Sequence, residues 1–456
     1  MLSFFKNQLL YIIRNAHRRF LLLNTHFFST ISGKRQKYFS YLQILINFAA
    51  QNERKKQMKI LIVSFYYTPE IGAAPIRITN LARGLQAKGH EVDVLTCLPN
   101  YPKGRIFEGY RHRYSCQEDI DGIHVYRYWA YATISKNPIK RLFAMSSFAL
   151  TLRSFAVHRR KIRSYDRIIV QSPPILVAPS AVRLFAKRFK KTVILNVSDL
   201  WPSSAVELGA VREGSLAHRY MLSKERFIYT QSTAVMGQSE GILERVESIA
   251  PAKPLFLYRN LQFEEFNSEH LDLSRRRQAK LRIVYAGLFG VAQDMLSLIR
   301  GINFKSLGAE LHLYGAGNQL VDIQKYIIDS GDDIIYHGFL PKDDVNQALA
   351  DYDVSLIPLT TSIHGAVPSK TFDLLCFGIP TLFSGSGEGA MITEKYGFGL
   401  VSAPADYAAL ADNIRAFAAM PDEEYLRYAN NCLEAAVDGF SFDKQMLRFN
   451  DFLESL

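Results

Sequence analysis

The sequence predicts an α/β protein built from two doubly wound, Rossmann-like domains that face each other across a cleft. The chain has 456 residues, enough for two or three domains, and 48% of them are apolar. From Met58 onward, apolar runs of strand length alternate with segments of helical spacing, which is typical of a mainly parallel sheet with helices on both faces. A polar, charged linker between about Gln262 and Lys280 separates two such series.

The first series is interpreted as an N-terminal domain over residues 58–265. Ala74 to Lys88 has helical spacing and stops at Gly89, which predicts a helix that ends at a glycine. Ligands bind at the carboxyl ends of strands in such sheets, so the loops after the strands are candidate sites. The predicted strands are Lys59–Phe65, Glu91–Thr96, Asp166–Gln171 and Thr192–Val197.

The second series is interpreted as a C-terminal domain over residues 280–440. A ligand is expected in the cleft between the two domains, because such clefts are common binding sites. The predicted strands are Leu281–Ala286, Glu310–Tyr314, Asp333–Tyr336, Val354–Ile357, Thr381–Phe383 and Gly399–Val401.

The net charge of +12 is concentrated in two segments, which argues against a continuous groove for nucleic acid. Residues 1–57 hold ten Lys or Arg and one acid, Glu53. This basic extension is compatible with a transit peptide or a membrane-surface anchor, and equally with spurious translation upstream of a start at Met58. A cleavable secretory signal is less favoured, because no small-residue cleavage pattern follows the apolar run that ends before Asn24.

The second basic segment, residues 131–165, holds eight Lys or Arg and no acid around the uncharged stretch 142–152. It is interpreted either as a helix that dips into the headgroups of an anionic membrane or as an ordinary buried helix. No apolar run reaches the about 18 residues that a membrane-spanning helix needs. The four cysteines lie far apart, which favours reduced, structural thiols.

Candidate binding residues follow the strands of the first series. The loop after the first strand contains Gly72 and leads into a helix with Arg77, so that backbone can approach a ligand there. A tight turn that needs Gly72 only for its conformation is the alternative. Asp199 and Trp201 place a carboxylate and an indole at another strand end, where an Asp also often serves as a helix cap.

Glycine-rich loops in the second series predict a phosphate site. Gly287 and Gly290 follow a strand and precede Gln293, and Gly315 follows the next strand, although each of these loops alone reads more readily as a turn. The most informative segment is Pro368-Ser369-Lys370. Its proline near a helix start, hydroxyl, free amides and ammonium together predict an anion-binding helix terminus that fits a pyrophosphate.

Two neighbouring features extend this predicted donor site. Asp373 lies three residues after Lys370 and is expected to accept hydrogen bonds from ribose hydroxyls. The loop that contains Gly387 and Gly389 is expected to complete the cradle with its amides. The alternative for the whole segment is a capped structural helix.

Together these motifs resemble a retaining, metal-independent nucleotide-sugar glycosyltransferase of the GT-B fold, in the large class named family four, group 1 type. The resemblance covers about Met58 to Leu456. Bacterial O-antigen fucosamine transferases and colanic acid glycosyltransferases are similar. The segments that carry the resemblance are Met58–Val63, Pro69–Arg77, Leu98–Gly104, Asp199–Pro202, Tyr258–Asn260 and Pro368–Lys370.

The resemblance implies that the C-terminal domain binds a UDP- or GDP-linked sugar and needs no cofactor and no metal. It implies that the N-terminal domain binds an acceptor, a lipid-linked saccharide at the inner face of the cytoplasmic membrane, and that Asn100 and Asn260 belong to this acceptor cleft. It also implies that a last helix over residues 441–456 crosses back onto the N-terminal domain.

The sequence departs from the family pattern at the donor site. The family holds its donor with two carboxylates eight residues apart; Asp373 matches the second position, but Gly365 occupies the first. The basic pair that commonly follows the glycine loop is replaced by Gln293 and Asp294. Glu388 is expected to supply a carboxylate from the next loop. The predicted catalytic residues are therefore Lys370, Asp373 and Glu388.

Two rival interpretations remain open. The missing acid and the altered basic pair are compatible with a degenerate transferase that acts as a binding or scaffold protein, which detectable sugar transfer would exclude. A sugar-nucleotide epimerase or another GT-B enzyme is the second rival, and the release of free UDP distinguishes the two reactions.

Overall fold

The computed structural model describes residues 57–135, 137–207, 209–263, 280–338, 348–361 and 364–456. The predicted basic extension before Gln57 and most of the predicted linker lie outside these residues. Met58 to Leu456 form one compact unit.

The N-terminal domain is built on an eight-stranded sheet whose order is β3-β4-β2-β1-β5-β6-β7-β8. Every pair is parallel except β3 with β4. The order in which successive strands are added to the sheet reverses between β1 and β5, which are parallel. This switch point places the carboxyl ends of both strands beside one crevice. The strands are β1 Lys59–Val63, β2 Glu91–Cys97, β3 Ser115–Ile120, β4 Ile123–Tyr128, β5 Arg167–Ser172, β6 Thr192–Val197, β7 Ala234–Gly237 and β8 Leu255–Leu257.

Helices cover both faces of this sheet. The helix after β1 begins after Gly72, and Gly89 follows it with φ +91°, a left-handed conformation that glycine adopts without strain. The helices are α1 Ala73–Ala87, α2 Pro138–Thr151, α3 Arg159–Ser164, α4 Val177–Val182, α5 Ser203–Glu207, α6 Leu216–Gln231 and α7 Glu240–Ile249. Shorter helical turns of other types span Glu108–Tyr110, Leu152–Val157 and Arg183–Arg188.

The C-terminal domain contains a six-stranded parallel sheet of order β11-β10-β9-β12-β13-β14. Its switch point lies between β9 and β12, so the loops after these strands are where a ligand is expected. The strands are β9 Leu281–Leu288, β10 Ala309–Ala316, β11 Ile334–Gly338, β12 Val354–Pro358, β13 Thr381–Ser384 and β14 Gly399–Ser402. These strands confirm the predicted series.

The helices of the C-terminal half range from four to fourteen residues. They are α8 Met295–Gly301, α9 Leu320–Ser330, α10 Lys370–Asp373, α11 Glu388–Tyr396, α12 Tyr407–Ala419, α13 Asp422–Glu434 and α14 Phe442–Ser455. Further turns of other helix types span Lys305–Leu307, Leu375–Phe377 and Ala435–Gly439. Among the residues described, no helix combines the length and the apolarity that crossing a bilayer requires.

Helix α14 packs on the N-terminal domain, as predicted. Phe442 and Met446 lie so close to Gly84 of α1 that a Cβ there would meet the phenyl ring at 2.8 Å. Lys88 pairs with Asp443 at 3.1 Å, and Arg167 donates a hydrogen bond to the carbonyl oxygen of Leu453 at 3.1 Å. The apolar side chains of α14 therefore complete a core shared by both domains, which includes Ile60 and Leu85 of the N-terminal domain and Phe372 and Phe398 of the C-terminal domain.

Candidate active site

Lys370 lies against Gly287, at the carboxyl end of β9 and beside the carboxyl end of β10. A Cβ built on Gly287 would overlap Lys370 Nζ and would lie 2.9 Å from Cε. A Cβ on Gly315, whose φ is +133°, would overlap the carbonyl oxygen of Gly287. Both glycines are thus needed for close approach, and Gly287, Gly315 and Lys370 lie together at one corner of the sheet.

Among the described residues, the ammonium of Lys370 forms no salt bridge and no hydrogen bond to a carboxylate. Its Nζ lies 4.4 Å from the centroid of the Tyr285 ring, a cation–π contact. Burial lowers the pKa of Lys370 to about 8, and the Asp373 carboxylate opposes this shift. Within the described ranges no hydrogen-bond acceptor contacts the ammonium. A desolvated cation of this kind favours the arrival of an anionic group, which would restore its ordinary pKa.

The helix that begins at the predicted terminus, residues 368–370, is short. Helix α10 has only four residues, and the chain then turns into the 3-10 segment Leu375–Phe377. Aligned peptide dipoles add up only over several turns, so α10 contributes little field of its own. Ser369 precedes it without a side-chain cap hydrogen bond. The positive charge of this corner therefore resides in the Lys370 ammonium.

Asp373 is connected to the other half of the chain. Its Oδ1 accepts a hydrogen bond from Gln262 Nε2 at 2.8 Å. Gln262 follows the last strand of the N-terminal domain, so this bond ties α10 to the segment that leaves that domain. The ribose-binding role of Asp373 stays a prediction.

Glu388 stands at the start of α11 and contacts the N-terminal domain with both oxygens. Oε1 pairs with Arg259 at 2.6 Å, and Oε2 accepts a hydrogen bond from the backbone amide of Glu240 at 2.8 Å. The side chains of Glu388 and Arg259 are each 10% exposed. Nearby, Ser239 Oγ donates to the carbonyl oxygen of Gly365 at 2.6 Å. The structure thus gives Glu388 an interdomain partner, and its role at the donor stays a prediction.

The other predicted donor residues lie around the same edge of the sheet. Gly290 accepts a hydrogen bond from the amide of Gln293 at 3.3 Å, which closes a turn before α8. Gly387 precedes α11 with φ +84°. Gly389 packs against Pro368, whose Cδ would lie 3.4 Å from a Cβ at that position.

The N-terminal domain has a cavity of about 200 Å³ at the carboxyl ends of β1, β2, β5 and β6. Four of the predicted acceptor residues line it: Arg77, Asn100, Asp199 and Trp201. Gly72 and Asn260 are not among its lining residues. Gly72 lies beside the Tyr101 ring, 3.0 Å from an added Cβ, and Asn260 is partly buried next to Arg259.

The floor of this cavity brings the buried Arg77 guanidinium near the partly buried Asp199 carboxyl group. Burial lowers the pKa of Arg77, and the nearby Asp199 opposes the shift. Burial likewise raises the pKa of Asp199, against the effects of Arg77 and of a hydrogen bond from Ser198. Arg77 Nη1 donates to Gln238 Oε1 at 2.8 Å, while its buried Nε has no hydrogen-bond partner among the described residues. The floor is therefore polar and able to bind hydroxyl groups.

Sequence reasoning missed the residues that shape this cavity. Glu70 is 4% exposed; its Oε1 accepts hydrogen bonds from the amides of Asn100 and Tyr101, both at 2.9 Å. Arg127, which is fully buried on β4, donates to the carbonyl oxygens of Cys97 and Thr68. These two side chains hold the loops after β1 and β2 together. In the sequence, Glu70 and Arg127 are visible only as charged residues beside or inside an apolar run, which does not indicate a role at a site.

Two family models match the two domains in turn. The model described as a glycosyl transferase 4-like domain matches residues 72–256, and the model described as glycosyl transferases group 1 matches residues 281–419. The chain therefore contains two glycosyltransferase domains, one of the 4-like kind and one of group 1. A relative named as the colanic acid biosynthesis glycosyl transferase WcaI of Escherichia coli K12 is 31% identical over 158 residues, which span 34% of this glycosyltransferase and 38% of that relative.

Solved structures show the GT-B architecture over most of the glycosyltransferase. Sucrose-phosphate synthase from Thermosynechococcus elongatus aligns with a TM-score of 0.66 and 15% identity, covering 88% of this chain and 99% of that one. Anabaena HepE in complex with UDP aligns with a TM-score of 0.62 and 14% identity, covering 88% and 100%. WaaG, a glycosyltransferase involved in lipopolysaccharide biosynthesis, aligns with a TM-score of 0.56 and 14% identity, covering 86% and 99%. At these identities the likeness establishes the fold.

Proposed function

We propose that this glycosyltransferase moves a sugar from a UDP- or GDP-linked donor to a saccharide acceptor during the synthesis of a bacterial surface polysaccharide such as O-antigen. The observation that carries the proposal is the Lys370 ammonium, desolvated and without a salt bridge or a hydrogen bond to a carboxylate among the described residues, at the switch-point edge of the C-terminal sheet. The colanic acid relative and the UDP complex of a structural neighbour support this class of substrate.

The proposed mechanism follows from the leaving group. When the bond between sugar and diphosphate breaks, negative charge develops on the diphosphate. A cation already fixed beside that position stabilises the transition state more than the ground state, without reorganising at the moment of reaction. Lys370 supplies this charge in a metal-independent reaction. The acceptor hydroxyl attacks from the face that the diphosphate leaves, the departing oxygen takes its proton, and the configuration at the sugar is retained.

The acceptor is proposed to be a lipid-linked saccharide, reached from the inner face of the cytoplasmic membrane. Helix α2 exposes apolar side chains: Ile139 is 75% exposed, Phe143 56% and Leu150 61%. Lys140 and Arg141 lie among them, and Arg159 and Arg160 are exposed nearby at the start of α3. Apolar side chains beside cations suit a peripheral position on an anionic bilayer.

One cation of this segment is not available to lipid. Lys161 Nζ pairs with Asp93 at 3.0 Å, and Asp93 is fully buried. Tyr165 also donates a hydrogen bond to this carboxylate. Lys161 therefore stabilises the domain, and the proposed lipid contact is made by Arg159 and Arg160.

The test is a panel of UDP- and GDP-linked sugars, with the release of free nucleoside diphosphate as the readout. Wild-type protein is expected to release UDP or GDP from one donor. Lys370→Ala is expected to lower the rate by about one hundredfold, as loss of a charged transition-state contact does. Equal rates in the two proteins would refute the phosphate site.

A non-catalytic binding protein is the second candidate function. It is favoured by Gly365 in place of the first family acid and by the engagement of both Glu388 oxygens with Arg259 and the amide of Glu240. Donor binding in calorimetry without release of UDP or GDP, with any acceptor fraction tried, would support this candidate over sugar transfer.

A further inference from the structure

Helix α2 serves two surfaces at once. On one face Arg141, Ala144 and Met145 line the N-terminal cavity. On the other, Leu142 and Phe143 are 50% and 56% exposed. The wall of the acceptor cavity and the apolar surface proposed to meet the bilayer are therefore faces of the same 14-residue helix.

The chemistry of the cavity changes with depth. Its floor combines Arg77 and Asp199 with the buried amides of Asn100 and Gln171, which are 5% and 4% exposed. The two floor charges offset each other. Arg141 is exposed and is the third charged residue of the lining, so the cavity carries one more cation than anion. The unbalanced cation thus lies at the solvent side of the cavity.

Aromatic rings lead from the cavity wall to the exposed face of α2. Tyr131 lines the cavity, and its ring packs edge-on against Phe143 with 5.1 Å between the centroids. Tyr66 lines the cavity as well, and Arg141 acts on its hydroxyl by lowering its pKa, against the larger effect of burial. Arg141 is therefore placed between the polar interior and an apolar exit.

We propose that Arg141 binds the diphosphate of the lipid-linked acceptor, with the saccharide in the cavity below it and the first isoprene units against Tyr131 and Phe143. The inference rests on the proposed function and names the subsite for one part of its acceptor. A sugar, a diphosphate and an isoprenoid follow one another in such a lipid. The polar floor, Arg141 and the exposed rings follow one another in the same order. A guanidinium is suited to a diphosphate because it donates two parallel hydrogen bonds.

The probe is geranyl diphosphate, a short isoprenoid that carries the diphosphate without a saccharide or a membrane. Its binding is measured by isothermal titration calorimetry with the donor site filled by UDP or GDP, whichever wild-type protein releases. Arg141→Gln is expected to raise its Kd about tenfold, which is the loss of one charge-assisted contact. Arg141→Lys keeps the charge but loses the two parallel N–H donors of the guanidinium. Its Kd for geranyl diphosphate is expected to lie between those of Arg141→Gln and wild type.

Lys140→Gln is the matched control, because Lys140 is the neighbouring exposed cation of α2 and does not line the cavity. Its Kd for geranyl diphosphate is expected to change by less than about twofold. Co-sedimentation with phosphatidylglycerol vesicles is the second arm. There both variants are expected to lose binding equally, since a charged surface attracts either cation.

Equal Kd values for geranyl diphosphate in Arg141→Gln and Lys140→Gln would overturn the proposal and assign Arg141 to lipid headgroups only. Titration of each protein with that nucleoside diphosphate reports that the variant is folded. Failure of the proposed function is seen separately, as the absence of UDP or GDP release by wild-type protein.

Discussion

Gly287→Ala tests the contact that organises the donor corner. The new methyl group would overlap Lys370 Nζ and lie 2.9 Å from Cε, whereas ordinary contact begins at 3.4 Å. The backbone of Gly287 is outside the left-handed region, so alanine is tolerated there without strain. The flexible end of Lys370 must therefore move while the backbone stays in place.

The expected loss follows from that movement. The ammonium is displaced by about 1 Å or more, and a misplacement of this size costs about one hundredfold in rate. Loss of a charge-assisted hydrogen bond costs about 1.5–3 kcal/mol, which corresponds to a decrease in kcat/KM by a factor of about ten to one hundred. We expect kcat/KM for the donor to fall within this range, with a Tm close to that of wild type.

The assay is the release of UDP or GDP at low donor concentration, with Tm from differential scanning calorimetry. Gly315→Ala is the contrasting variant, because its methyl group would overlap the backbone carbonyl of Gly287 and lie 2.9 Å from the carbonyl carbon. It is expected to lower Tm as well as activity. Unchanged kcat/KM in Gly287→Ala would refute the placement of the ammonium at the diphosphate.

Three further predictions concern charged groups. Since burial lowers the pKa of Lys370 to about 8, the ammonium loses its charge as pH rises through that value. The kcat/KM for the donor should therefore fall above about pH 8. The same fall in the pH profile of Lys370→Ala would contradict this prediction. Glu388→Gln leaves the buried Arg259 with only the exposed Glu240 carboxylate, at 3.8 Å, which should destabilise the protein by about 3 kcal/mol. Urea unfolding measures this against Glu394→Gln, an exposed control on the same helix; equal stability of the two variants would mean that the pair of Glu388 and Arg259 does not stabilise the domain contact. Lys161→Gln should lower Tm because Asp93 loses its ion pair. Arg160→Gln should weaken vesicle binding with little change in Tm. The reverse pattern would assign the lipid contact to Lys161 and the stabilising contact to Arg160.

The parallel strands were predictable because strands buried on both faces read as continuous apolar runs. Lys59–Val63 and Thr192–Val197 are of this kind, and their positions follow directly from the sequence. The strand Ser115–Ile120 was missed because it is rich in polar residues. It pairs antiparallel with β4 at the edge of the sheet, where alternate side chains face water.

The candidate site was predictable where one sheet determines it. Gly287 lies at the carboxyl end of β9 and Lys370 follows β12, and parallel strands bring their carboxyl ends to the same edge of a sheet. The pairing of Glu388 with Arg259 depends on how two domains pack, which no local pattern encodes. Arg141 was visible only as one of eight cations in residues 131–165, because its position at the cavity depends on the docking of α2.

The packing of α14 on α1 has a consequence for biosynthesis. Phe442 and Met446 fill the space beside Gly84 and belong to the same apolar core as Ile60 and Leu85. A ribosome emits residues 442–455 only after the entire C-terminal domain, so the first domain keeps an uncovered apolar face throughout translation. The N-terminal domain is therefore not expected to complete its folding before the C-terminal domain has been synthesised. Both domains should reach the native state together, when α14 docks.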